Sequence, residues 1–353
     1  MKRIISILVF LLICLSLGAV STDWFYNTLN SKEKALYERI EEAIMSNEEK
    51  IMDVDFSSKE CLRIYSGYLD DHPGIFWVDN KISYGTYLDS NGKAKHSINL
   101  VFTHTENLNA DKVRFVNLVS KFSGYLQRDP NDWIKLYHIY DYLASTIEYS
   151  LDYMDQTMWS VFFEGIGVCA GFARSFQYLA LQEGIPSVVV HGYAKNEDGS
   201  QSDVGHLWVM AKIGDNWYHF DPTWGLQDND GVVDFTYFCR SSKRMELSHV
   251  IDNDYPIPSS LDDTMSYVNM RGRNMKQYSR GSYKEILKKA VSNDEYSFTV
   301  EFGSASELEK AVKDLFQDKG LTTIVRELGL TGAKSYSYIN DKQTMALQLT
   351  LKF

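Results

Sequence analysis

Residues 206 to 221 read His206-Leu207-Trp208-Val209-Met210-Ala211-Lys212-Ile213, then Gly214-Asp215, then Asn216-Trp217-Tyr218-His219-Phe220-Asp221. Two runs of strand formers flank a two-residue turn with glycine at its first central position, which is the pattern of a type II′ hairpin. Such a turn sets the register: Ile213 faces Asn216, and Asp221 falls opposite Trp208 and diagonal to His206. Side chains alternate between faces along a strand, so His206 and Asp221 project from the same face. A three-residue loop without a bulge would separate them. A carboxylate beside an imidazole holds its tautomer and orientation, which is what a histidine acting as a base requires.

Upstream, Glu164-Gly165-Ile166-Gly167-Val168-Cys169-Ala170-Gly171-Phe172 places a cysteine at the start of a predicted helix. Phe172, Phe176, Leu179 and Ala180 give that helix an apolar stripe, and Gly184 ends it. Gly165 and Gly167 permit a tight entry turn. The unpaired backbone N–H groups at a helix N-terminus favour a thiolate and can stabilise an oxyanion. An isolated cysteine is more simply a small buried hydrophobe. Followed by His206 and Asp221, Cys169 instead completes the set of groups for thiol acyl transfer. Trp208 and Trp224 are expected as walls of the site. Trp159 is expected either to line the substrate cleft, to help the oxyanion or to pack in the core. His219 shares a face with Asp221 and reads as structural or surface. His191 reads as packed or solvent-facing, and His138 and His72 have no clear partner.

No metal or cofactor is expected. The chain has no Cys-x-x-Cys, no His-x-x-x-His, no phosphate-binding loop and no dinucleotide motif. Asp228-Asn229-Asp230-Gly231 resembles part of a calcium loop, but Leu226 stands at the first acidic position and the closing Glu is missing, so a turn is expected there.

Met1-Lys2-Arg3, an apolar run from Ile4 to Leu17, and small residues at Gly18, Ala19 and Ser21 have the layout of a secretory signal cleaved after Ser21. The run is short for a membrane span, although an uncleaved anchor is the alternative. Removing residues 1–21 takes away Lys2 and Arg3 and no acid, which carries the formal net charge from −11 to −13. An acidic exported chain is a poor partner for nucleic acid or anionic membrane, so contact with a membrane is expected only during export or through a retained anchor. Localisation is then secreted or at the cell envelope. Cys61, Cys169 and Cys239 remain after processing, and an odd count leaves at least one thiol free. Cys61 and Cys239 either pair or stay as buried free thiols.

Helices are predicted from Trp24 to Ala43 with Ser31 as a cap, from Ser58 to Leu69, around Ala110 to Leu126, and from Trp133 to about Ile147 behind Asp129-Pro130-Asn131-Asp132. Strands are predicted at Ile75–Val78, Lys81–Leu88, Ile98–Phe102, Ser187–Ala194, His206–Ile213 and Trp217–Asp221. A final α/β unit follows from about Ser282. The resulting division is a signal peptide at 1–21, an N-terminal α/β region at 22–128, a core at 129–255, a linker at 256–281 and a small C-terminal α/β domain at 282–353.

Gly167-Val168-Cys169-Ala170-Gly171-Phe172-Ala173, Glu183-Gly184-Ile185-Pro186, Gly205-His206-Leu207-Trp208 and Trp217 to Trp224 resemble, in that order, the motifs of the bacterial transglutaminase-like superfamily, over roughly residues 130 to 250. The resemblance implies an α+β, papain-like fold, with the cysteine on a helix packed against an antiparallel sheet that carries histidine and aspartate. It implies Cys169 as nucleophile, His206 as base and Asp221 as the orienting acid. Ala170, Leu207 and Val209 depart from residues frequent in the family, which bears on substrate choice more than on the triad. The implied activity is acyl transfer from a peptide, a glutamine amide or a cell-envelope peptide, to water or to an amine. The alternative is a binding or scaffold module that keeps the fold without turnover.

Overall fold

Helix α1 (Ser31–Ser46) starts where its cap dictates. Asn30 Oδ1 accepts from the N–H groups of Lys32 and Glu33 at 2.9 and 3.1 Å, and Glu33 returns a bond to the Asn30 N–H at 2.9 Å. This reciprocal box satisfies donors that the first turn cannot. The helix expected from Trp24 is therefore two pieces: a short 3-10 turn at Tyr26–Thr28, then α1, with Asn30 rather than Ser31 as the cap. The same device, built from Ser57 and Glu60, starts α2 (Ser58–Asp71), which follows β1 (Lys50–Val54), a strand the sequence reading did not anticipate.

The computed structural model describes residues 21–126, 131–152, 156–196, 198–226, 232–330 and 332–353. The expected signal segment up to residue 20, the turn at Asp228–Gly231 and residues 129–130 of the expected helix start lie outside the described residues. The chain continues through β2 (Val78–Leu88), β3 (Ala94–Phe102), α3 (Leu108–Leu126), α4 (Asp132–Thr146), β4 (Glu148–Tyr149), α5 (Met158–Phe163) and β5 (Ile166–Gly167) to α6 (Cys169–Gln182). Then come β6 (Ser187–Lys195), β7 (Gln201–Ile213), β8 (Asn216–Phe220), β9 (Phe238–Arg240), α7 (Ser242–Met245) and β10 (His249–Ile251). Strand β7 begins at Gln201, five residues ahead of the predicted start at His206. β9 and β10 are additions that short, mixed sequences did not signal.

These last five strands form one antiparallel sheet in the order β10-β6-β7-β8-β9. The β7–β8 turn is the one its residues demand: Ile213 faces Asn216, Val209 faces Phe220, and Gly214 adopts φ +59°. One face of the sheet carries Val209, Ala211 and Phe220 into the main core, where Phe176 of α6 meets Phe220 at 5.2 Å between ring centroids. The other face carries Val188, Val190, Trp208 and Met210, covered by Tyr237 and Met245. Gly192 is required on this second face. A Cβ there would lie 2.2 Å from the Val250 carbonyl oxygen and 2.5 Å from the Trp208 ring.

The sheet β1-β3-β2 and the core share one continuous apolar cluster, from Phe25, Tyr65 and Phe76 through Phe115 to Phe172 and Phe220. Within the segment expected as a linker, α8 (Tyr267–Met270) adds Tyr267 to that cluster, while β11 (Asn274–Met275) pairs in parallel with β12 (Ser297–Phe302). The C-terminal unit then comprises α9 (Arg280–Ser292), β12, α10 (Ala305–Val312), α11 (Gly320–Glu327), β13 (Ser335–Asp341) and β14 (Ala346–Lys352), around a separate apolar cluster. Glu301 of β12 joins it to the core: fully buried, it accepts from Arg240 and Arg244. Removing one member of a buried pair strands the other charge. Glu301→Ala is therefore expected to cost about 3–5 kcal/mol of unfolding free energy, read by urea denaturation.

Cys61 and Cys239 are both buried free thiols, which resolves the two expected alternatives against a disulfide. Among the described residues, no helix is long and apolar enough to cross a membrane.

Candidate active site

Cys169 is the first residue of α6, behind Val168, an N-cap with no side-chain oxygen to offer the first turn. The N–H groups of that turn are thus left for the thiolate and for whatever the thiolate attacks. A Cβ at Gly171 would lie 3.0 Å from the Thr157 carbonyl oxygen and 3.0 Å from Val161, which shows how closely α5 and its cap approach this turn. The His206 side chain and the Leu207 backbone N–H both lie close enough to the Cys169 sulfur to act on its ionisation.

His206 stands on β7 just beyond the last β7–β8 pair, so no β8 residue covers it. Its Nε2 lies 2.7 Å from Asp221 Oδ2, which leaves Nδ1 for the thiol. Asp221, placed one residue past β8, is fully buried and has four donors. Oδ1 accepts from the backbone N–H groups of Thr223 at 3.0 Å and Trp224 at 3.2 Å. Oδ2 accepts from His206 and, at 3.1 Å, from His249 Nε2. The structure therefore brings together the three residues that the hairpin register and the helix start single out.

Burial and charge compete at each group. Burial pushes the Cys169 thiol up, but the hydrogen bond and charge of His206 outweigh it and hold the thiol below its ordinary value. Burial pushes His206 down, yet the charge and hydrogen bond of Asp221, helped by the thiol, raise it to about 10. Burial raises Asp221, but the charge of His206 and the hydrogen bonds of both histidines hold it far below the usual carboxylate range. At neutral pH the arrangement favours a thiolate–imidazolium pair backed by an ionised carboxylate.

The three tryptophans lie around this centre in different ways. Trp208 has no exposed surface and stacks behind His206 at 5.8 Å, so it forms the floor under the imidazole rather than a wall that a substrate touches. Trp224 is half-buried and covers His249 at 4.2 Å and His206 at 5.7 Å. Trp159 stacks on His104 at 4.4 Å and packs at a tilt against Phe163 at 4.2 Å, at the seam with the N-terminal region. His219 is buried and structural in its bonding: Nδ1 accepts from Trp208 Nε1 at 3.0 Å, and Nε2 lies 3.0 Å from Ser242 Oγ. Burial lowers it to about 3, so it is neutral.

A cleft of about 480 Å³ opens beside His206 and Leu207. One wall comes from α2 and the start of β2, with Lys59, Arg63 and Lys81; the other comes from β6 and the turn at 252–255. Arg174 lies on its floor, bonded to Asp70 at 2.9 Å and to Asn80. The second Asp70 oxygen takes His191 Nε2 at 2.5 Å, and the His191 ring stacks on Tyr255 at 3.6 Å. His191, expected as packed or solvent-facing, is thus packed, and its bond to Asp70 was not legible in the sequence because Asp70 comes from a distant helix. Sequence reasoning missed His249 altogether: Ser248-His249-Val250-Ile251 is too short a strand to have a legible period.

His206, Asp221 and His249 do converge, with candidate ligand atoms within 4.8 Å of one another, although no sequence motif announces a metal site. Their geometry is that of hydrogen bonding. Both Nε2 atoms point their protons at one ionised oxygen, and a cation would have to displace both protons.

Residues 121–222 match the family model of the transglutaminase-like superfamily, a span that contains Cys169, His206 and Asp221. The chain carries a transglutaminase-like core. No curated protein matches the chain. Among solved structures, a candidate cysteine protease from Cytophaga hutchinsonii is similar at 20% identity over 43% of this chain and 65% of that one, with a TM-score of 0.27. A protein named a TGase is similar at 18% identity over 51% of this chain and 52% of the other, with a TM-score of 0.29. A candidate protease from Parabacteroides distasonis is similar at 13% identity over 39% and 37%, with a TM-score of 0.24. The chain spans less than two thirds of each of these proteins. The transglutaminase-like core is α+β, with a papain-like placement of cysteine on a helix and histidine and aspartate on an antiparallel sheet.

Proposed function

We propose that this protein is a secreted or envelope-associated cysteine acyl-transfer enzyme that acts on peptide or glutamine amide bonds. The observation that carries this reading is the line in which the Cys169 thiol is electrostatically coupled to His206 and His206 is hydrogen-bonded to Asp221, beside an open cleft. The Cys169 thiolate attacks the amide carbonyl carbon, and the carbonyl oxygen takes the negative charge within reach of the first-turn N–H groups of α6. The C–N bond then breaks as the His206 imidazolium gives its proton to the departing amine, leaving a thioester and a neutral imidazole. An acceptor follows. Its proton goes to His206, its oxygen or nitrogen bonds to the acyl carbon, and the thiolate leaves. Water as acceptor gives hydrolysis and a primary amine gives transamidation. The expected export favours hydrolysis of a peptide or cell-envelope amide.

The test is a paired assay on wild type and Cys169→Ala. One arm offers a glutamine peptide with a labelled primary amine; the other measures new amino termini and released ammonia. Cysteine-dependent product in either arm is the expected result and identifies the acceptor. Wild type inert in both arms would favour the binding-module alternative.

A further inference from the structure

The second imidazole on Asp221 belongs to no step above. His249 is fully enclosed by Trp224, Trp208 at 4.9 Å and Tyr237 at 5.5 Å, and its ring centroid lies 5.5 Å from that of His206. An ionised carboxylate only accepts, so His249 Nε2 must carry the hydrogen aimed at Oδ2. Ser248 Oγ lies 2.9 Å from Nδ1 and itself interacts with the Tyr237 hydroxyl. Resting on the triad reading, we propose that His249 is a positioning residue: a neutral imidazole that anchors the very oxygen His206 uses and takes up part of its charge.

The groups facing His249 are Asp221 after β8, His206 on β7, His219 on β8 and Tyr237 before β9, with Cys169 beyond His206. Burial, together with the charge of His206, keeps His249 below its ordinary value despite Asp221, so its donor role does not change near neutrality. A donor on a carboxylate weakens that carboxylate's pull on its other partner. Removing this one leaves more of the Asp221 charge to His206 and makes the imidazolium harder to deprotonate.

The experiment follows the His206 titration by ¹³Cε1 histidine NMR and the pH dependence of Cys169 alkylation by iodoacetamide. The proteins compared are wild type, His249→Phe, His249→Gln and His249→Asn. Gln carries an amide nitrogen at the Nε2 position, whereas Asn stops short at Nδ1. Loss of the donor in Phe and Asn is expected to move the His206 midpoint upward by roughly half a pH unit or more, with Gln holding it near wild type. Should His249→Phe not fold, the Gln–Asn pair reads the same split. A wild-type thiol that ionises at an ordinary pH overturns the triad and this inference with it. An activated wild-type thiol with His206 unmoved, or moved downward, in the donor-less variants overturns the role of His249 alone.

Discussion

His206→Gln is expected to slow alkylation of Cys169 at pH 6 by about a hundredfold or more. In the wild type the imidazolium outweighs the burial of the thiol and holds it below its ordinary value, which raises the thiolate fraction available at that pH. Without the cation burial is opposed only by the Leu207 N–H and the helix N-terminus, and the thiol returns to or above its unperturbed value of about 8.5. Cys61 and Cys239 are buried, and burial pushes both upward, so a rapid iodoacetamide signal reports on Cys169. Turnover in whichever arm of the paired assay is active is expected to fall by roughly 10⁴-fold or more, since the same group also protonates the leaving amine. An alkylation profile of His206→Gln that overlays the wild type would show that the imidazole does not activate the sulfur.

Asp221→Asn tests the next link. Asn keeps an oxygen that can accept from the Thr223 and Trp224 N–H groups but removes the charge that raises His206 to about 10. The sign follows from what remains. Burial alone lowers an imidazole, so the imidazolium is lost nearer neutrality, and the thiol, deprived of its cation, ionises later. The pH window of the thiolate–imidazolium pair is expected to narrow from both sides. Turnover at neutral pH is expected to drop on the order of 10⁴-fold, in line with loss of the carboxylate from comparable triads. Measured by alkylation and activity against pH, both limbs should move towards each other. A variant in which only the amplitude falls, with both limbs in place, would make Asp221 a purely steric brace.

Much of this site was legible in short stretches of sequence. The Gly214-Asp215 turn sets a register that puts Asp221 diagonal to His206, and the observed pairing of Ile213 with Asn216 is the one that turn chemistry demands. Cys169 was legible because glycines and an apolar stripe mark a helix start. The helix cap at Asn30 was not, since Ser31 is an equally good cap by type and only the reciprocal bond with Glu33 distinguishes them.

What lay beyond the sequence are the contacts between elements far apart in the chain. Asp70 of α2 meets Arg174 of α6 and His191 of β6, so the N-terminal region supplies a wall and part of the floor of the cleft. Trp208 could be placed beside His206 by register, yet its burial depends on Tyr237 and Met245 covering that face of the sheet. His249 arrives on an edge strand of only three residues, paired with β6. Local sequence determines backbone conformation and the face on which a side chain emerges, because turn and helix energetics act over a few residues. Which polar groups share a buried carboxylate is decided when distant segments collapse around it, since burial forces every donor and acceptor there to find a partner.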